Sequence, residues 1–126
     1  MDIIGLGMDA TEIPRVRAIV SRYGDRFLHQ IFTDGEIAYC MRRRDPVPSL
    51  AARFAAKEAA MKALGTGRSR GVLWKDIEVV RERGRAPQLR LTGGARRRFD
   101  ALNARGTLLT LSHSRELALA QVLLFV

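Results

Sequence analysis

A single cysteine, Cys40, leaves the chain without an internal disulfide, and no cysteine or histidine stands near it at metal-ligand spacing. Cys40 is therefore expected to be a packing residue. Aromatic residues make up only 6% of the sequence, and no stacking-platform motif, helix-turn-helix or zinc pattern occurs. The chain thus lacks the usual means of reading bases, and no nucleic-acid partner is expected. No apolar run reaches about eighteen residues, and the opening MDIIGLGMDATEI has neither the basic head nor the long apolar stretch of a signal peptide. No membrane span is expected, and the expected compartment is the cytoplasm. Repeats, low-complexity tracts and linker-like segments are missing too, so residues 1–126 are read as one domain.

What the chain has in excess is positive charge. Lys and Arg number 22 against 13 Asp and Glu, a formal +9. Such a field gathers anionic partners, without choosing among nucleic acid, membrane surface, phosphorylated cofactor and acidic protein.

Hydrophobic periodicity divides the chain into elements. Asp2 to Met8 is short, apolar and punctuated by glycine, which predicts a buried strand turning near Gly7 with Asp9 at its end. From Glu12 to Tyr23, Ile13, Val16, Ile19 and Val20 recur at helical spacing while Arg15, Arg17 and Arg22 project elsewhere, giving a basic amphipathic helix. Thr33 and Glu36 have capping-box spacing for a short helix through about Met41, and Arg42 to Pro46 read as an exposed loop. Ser49 to Leu64, SLAARFAAKEAAMKAL, is rich in strong helix formers, with Pro48 and Ser49 as entry signals and Gly65 as a stop. Lys75 to Arg81 and Gln88 to Leu91 flank a hairpin connection marked by Gly84 and Pro87. A helix from about Ala95 to Asn103 follows. Two apolar runs parted at Ser112 to Glu116 then read as paired strands. This order predicts an α+β fold, a small antiparallel sheet packed with helices.

The helix from Ser49 to Leu64 carries large apolar residues on one face and alanines over much of the rest, so it is expected to be covered around most of its circumference. Its charges then need partners. Arg53 and Lys57 stand one turn apart, as do Glu58 and Lys62 on another side. One reading makes Glu58 and Lys62 a surface pair contributing about 0.3–0.5 kcal/mol, with Arg53 and Lys57 snorkelling to water. The other makes them a binding site. The following GTGRSRG segment favours it, because a glycine-rich loop exposes amides that can accept a phosphate, with Arg68 and Arg70 adding charge. Asp9 and Glu58 would supply two carboxylates, a number that suits magnesium.

Four segments taken together, GLGMDATEIPRV at 5–16, RFAAKEAAMKALGTG at 53–67, WKDIEVV at 74–80 and LSHS at 111–114, closely resemble the holo-acyl-carrier-protein synthases. These are 4'-phosphopantetheinyl transferases, and the resemblance covers nearly the whole chain in order. It implies their fold and their reaction, which moves the phosphopantetheine arm of coenzyme A to a serine of an acyl carrier protein and releases adenosine 3',5'-bisphosphate. By the same resemblance Asp9 and Glu58 match the magnesium-binding residues and Lys62 matches the lysine set against the pyrophosphate. Glu58 and Lys62 are then the catalytic residues, with Glu58, directly or through a metal-bound water, the candidate for taking the serine proton. Arg53, Lys57, the Gly65-Thr66-Gly67 loop and His113 fall in segments resembling coenzyme A-binding regions. Carrier proteins are strongly acidic, so Arg15, Arg22 and Arg26 are expected to dock one. The resemblance also implies a homotrimer with active sites between subunits. The chain departs from the pattern at Ala52, where relatives often have glycine, and at Pro14, which a helix tolerates in its first turn. His29 is expected to be structural.

Overall fold

The computed structural model describes residues Met1–Val126. The first strand, β1 (Ile3–Glu12), runs four residues further than the sequence pattern indicates, and Asp9 lies within it rather than at its end. Gly7 makes no turn. Glycine serves there because β1 crosses the long helix at backbone contact: a Cβ on Gly7 would overlap the Ala59 carbonyl oxygen and stand 2.8 Å from the Ala63 nitrogen.

Two helices follow without a loop between them, α1 (Ile13–Tyr23) and α2 (Asp25–Ile31), separated by Gly24 at a positive φ of 55°. Helix α1 buries Ile13 and Val16 and leaves Arg15, Arg17 and Arg22 outside, as its periodicity predicts. Helix α2 is not anticipated, since seven residues carry only Leu28 and Ile31 as a buried pair. Helix α3 (Asp34–Met41) starts on the Thr33–Glu36 capping box, in which the Glu36 amide donates to Thr33 Oγ1 at 3.2 Å and the Thr33 amide donates to Glu36 Oε1 at 3.0 Å. Cys40, on the inner side of this helix, is buried.

Helix α4 (Val47–Leu64) begins two residues before Ser49 and ends at Gly65 in the left-handed conformation. Its alanines let β1 and its partner strand approach closely, so it is buried on nearly every side. After a loop and one 3-10 turn at Trp74–Asp76 come β2 (Ile77–Val80) and β3 (Gln88–Leu91), a separate antiparallel pair. Helix α5 (Gly93–Ala101), β4 (Gly106–His113) and β5 (Leu117–Phe125) complete the chain.

The main sheet is antiparallel in the order β1-β5-β4, with Ala120 paired to Asp9 on one side and to Leu111 on the other. One face packs on α4 through Ala120, Val122 and Leu124. The opposite face carries Ile4, Leu6, Met8, Leu108, Leu117 and Leu119, all exposed. The antiparallel sheet packed on helices is the α+β arrangement the element order predicts. No helix is long and apolar enough to cross a membrane.

Candidate active site

Strand alternation puts Gly5, Gly7, Asp9 and Thr11 on the side of β1 that faces α4. Asp9 therefore points at the helix, and it meets Glu58 and Lys62. Lys62 Nζ donates to Asp9 Oδ1 at 3.1 Å and to the Met8 carbonyl at 3.0 Å, while Thr11 Oγ1 donates to Asp9 Oδ2 at 3.2 Å. Burial raises the proton affinity of Glu58 above the ordinary glutamate value, and the adjacent Asp9 charge and a hydrogen bond to that carboxyl raise it further. The positive charges of Lys62 and, more weakly, Arg15 oppose the shift. Two carboxylates from different elements thus converge beside the Lys62 ammonium. No cluster of three or more His, Cys, Asp or Glu side chains exists that could hold a metal as an all-protein cage. A pair of carboxylates is the donor set magnesium takes when phosphate and water supply its remaining ligands, and the mutual repulsion registered at Glu58 is what a divalent cation would relieve.

Arg53 sits elsewhere. Five residues from Glu58, it projects about 140° around the helix at about 100° per residue. Its guanidinium lies 4.1 Å from the centroid of the Tyr39 ring and donates to Ser49 Oγ at 3.0 Å, while its buried Nε has no partner. It lines a cavity of about 480 Å³ together with Tyr39, Arg43, Ser49, Arg81 and His113. His113 is exposed at the end of β4, its Nδ1 3.4 Å from the Ser114 carbonyl oxygen. The structure thus brings Arg53 and His113 together in a basic pocket. Sequence reasoning missed Tyr39, Arg43 and Arg81 there, although the Arg42–Arg44 run was a signal of local charge.

Asp9 lies on one edge strand and His113 on the other, two strand spacings across and two residues along the strands, or about 12 Å apart in the sheet plane. The carboxylate centre and the basic pocket are on opposite flanks of α4.

Two expectations are corrected. Lys57 turns into the core, where its ammonium pairs with Glu36 Oε1 at 2.7 Å and donates to the carbonyls of Trp74 and Ile77, leaving no donor for coenzyme A. The amides of Gly65, Thr66 and Gly67 do not accept a phosphate as a nest, because they cap the end of α4, donating to Lys62 O at 3.1 Å and to Met61 O at 3.1 and 3.4 Å. Arg98, unremarked in the sequence, closes this end through a 3.0 Å bond to the Leu64 carbonyl.

The three basic residues assigned to a partner are all exposed on α1 and α2. Arg26 lines an open groove of about 440 Å³ with Ile19, Tyr23, Phe27 and Gln30, so the basic face carries an apolar trough.

The sequence profile of the 4'-phosphopantetheinyl transferase superfamily matches residues 5–120. A holo-acyl-carrier-protein synthase of Koribacter versatilis is 47% identical over 122 residues, 97% of this chain and 98% of that protein. The crystal structure of the Neisseria meningitidis holo-acyl-carrier-protein synthase matches with a TM-score of 0.90 and 27% identity, covering 99% of this chain and 100% of that one. That of Helicobacter pylori, in complex with coenzyme A, gives 0.83 and 28% identity over 94% of this chain and 98% of that one. The full-length match, carried through the segments that hold Asp9, Glu58, Lys62 and His113, places the protein: it belongs to the 4'-phosphopantetheinyl transferase superfamily and, within it, to the holo-acyl-carrier-protein synthases.

Proposed function

We propose that this enzyme transfers the 4'-phosphopantetheine of coenzyme A to a serine of apo-acyl carrier protein with the help of magnesium, releasing adenosine 3',5'-bisphosphate. The observation that carries the reading is the convergence of Asp9, Glu58 and Lys62 from β1 and α4.

Phosphoryl transfer asks a protein for positioning and charge more than for covalent chemistry. Asp9 and Glu58 would hold magnesium, which when bound supplies Lewis-acid stabilisation of phosphoryl oxygens. Lys62, half exposed on the last turn of α4, neutralises charge on the leaving bisphosphate. The serine oxygen attacks the phosphorus that bears pantetheine, the bond to the bisphosphate oxygen breaks, and the serine proton passes to Glu58. Glu58 suits this role as a carboxylate at the acidic centre, where a serine brought to the reacting phosphorus would find an acceptor for its proton. Gly65 and Gly67 are exposed and carry no side chains, so a ligand can approach Lys62 at the helix end while Thr66 fixes the turn.

Arg53 and His113 line a pocket fitted to a phosphate-bearing end of coenzyme A, and its place across α4 from Lys62 supports a site shared between two copies of the chain. The open apolar face of β1-β5-β4 supports a homotrimer that covers it. Arg15, Arg22 and Arg26 dock the acidic carrier protein, with the trough at Ile19, Tyr23 and Phe27 taking apolar side chains at the same surface.

Intact-mass spectrometry of an apo-acyl carrier protein tests this directly. Coenzyme A and magnesium are expected to add one phosphopantetheine to the carrier, chelation is expected to stop the reaction, and magnesium in excess is expected to restore it. No mass gain with both supplied contradicts the reading.

A further inference from the structure

The distance between the two carboxylates depends on how closely β1 lies on α4. Gly5, Gly7 and Asp9 alternate along the face of β1 that meets the helix. A Cβ on Gly5 would overlap the Ala63 carbonyl oxygen, and one on Gly7 would overlap the Ala59 carbonyl oxygen and stand 2.8 Å from the Ala63 nitrogen and 2.9 Å from the Ala59 carbonyl carbon. These are backbone atoms of a helix buried on nearly every side, so they cannot swing aside as a flexible side chain would. The helix answers with alanines, Ala59 and Ala63, both buried in the same core.

Strand and helix run past each other in opposite directions: Gly5 meets Ala63, Gly7 meets Ala59 and Ala63, and Asp9 meets Lys62 and Glu58. Two strand residues advance about 6.7 Å and one helical turn about 5.4 Å. The Gly7 contact is therefore the point at which the two elements touch nearest to the acidic pair. The ladder to β5 holds β1 within the sheet plane, and β5 itself rests on α4 through Ala120, Val122 and Leu124, so the Gly7 contact governs how closely β1, at the sheet edge, approaches the helix beside the acidic pair.

We propose that Gly7, assisted by Gly5, is a positioning residue whose missing side chain sets the spacing of Asp9 from Glu58 and thereby the affinity of the pair for a divalent cation. The proposal rests on Asp9 and Glu58 being metal ligands. A methyl group at residue 7 pushes β1 off α4 and opens the pair, whereas a conservative change of Asp9 alters its reach without moving the strand.

Calorimetric titration of manganese into the full-length protein, with the electron paramagnetic resonance signal of the bound ion as a second readout, measures the pair without turnover. Gly7→Ala is expected to weaken manganese binding by about ten- to a hundredfold, the usual cost of disturbing what orients a ligand. It is also expected to raise the half-saturating magnesium concentration for transfer, with KM for carrier protein unchanged. Asp9→Glu, one methylene longer, is expected to weaken binding alone and to restore part of it in the Gly7→Ala protein. Where Gly7→Ala does not fold, Gly5→Ala gives the same readout in milder form. Unchanged manganese affinity in a folded glycine variant, or simple addition of the two losses in the double variant, would overturn the proposal. So would failure of both glycine variants to fold, since the contact would then be a condition of folding rather than of metal spacing. Native manganese binding by Asp9→Ala would instead overturn the metal reading beneath it, so the two failures are distinguishable.

Discussion

Lys57 and Lys62 stand five residues apart on α4 and meet opposite surroundings. Lys57 is fully buried against Glu36, whose remaining capacity is taken by the amides of Thr33 and Val79, so each charge in the pair is compensated chiefly by the other and by backbone dipoles. Burial lowers the Lys57 pKa and the Glu36 charge opposes that. Lys57→Met is expected to cost about 3–5 kcal/mol by urea denaturation because it strands the Glu36 charge, and Lys57→Met with Glu36→Leu is expected to recover most of it. A coenzyme A contact at Lys57 would instead raise KM for coenzyme A with stability intact. Lys62→Ala is expected to leave stability near native and to lower kcat by about 10²–10³-fold, the usual cost of losing one charge-stabilising donor. The sequence does not separate these lysines: Glu36 already has a reason to exist as the partner of Thr33 in a capping box, and nothing local announces its second use. Asp9, Glu58 and Lys62 were legible because their segments resemble a family, whereas Tyr39 and Arg81 join Arg53 only through long-range packing.

Helix α1 is tied to the α3–α4 connection by Arg17, which donates two bonds to Asp45, at 3.1 and 2.7 Å. Asp45 in turn accepts the Val47 amide at the entry of α4. The hydrogen bonds from Arg17 hold the Asp45 pKa below the ordinary aspartate value. A depressed folded-state pKa means stability that is present at neutral pH and lost as pH falls through the aspartate range. Arg17→Gln is therefore expected to lower the melting temperature slightly at pH 7, the pair being solvent-screened, and to match the native protein once Asp45 is protonated in both. A difference that persists at acid pH would place the contribution of Arg17 elsewhere. On the same helix, Arg15→Glu is expected to raise KM for carrier protein far more than KM for coenzyme A, and an equal rise in both would reject docking on α1. Most elements are readable from period and capping. Helix α2 is not, because a seven-residue helix after Gly24 shows too little periodicity, and the end of β1 is hidden because a glycine such as Gly7 marks a turn and a close approach alike.

The open sheet face and the two flanks of α4 belong to one problem. A chain that exposes Leu6, Met8, Leu117 and Leu119 on one sheet, and carries Lys62 and Arg53 on different flanks of one helix, fits the proposed assembly in which neighbours complete each site. Leu119→Asp is expected to shift the native assembly to monomer in light scattering with loss of transfer, whereas an unchanged oligomer would remove that face from the interface. The proposal of a site shared between copies predicts that mixed assemblies of Arg53→Ala and Lys62→Ala chains recover activity that neither has alone. Length, charge and element order bounded the fold from the sequence, but which face stays uncovered became visible only when β1, β5 and β4 were placed side by side. The most direct test compares transfer rates of native protein, Asp9→Ala and Glu58→Ala on one apo-acyl carrier protein, read by intact mass with circular dichroism confirming the fold. The acidic pair as metal site predicts that both variants fold and neither transfers; native-like rates in both would contradict it.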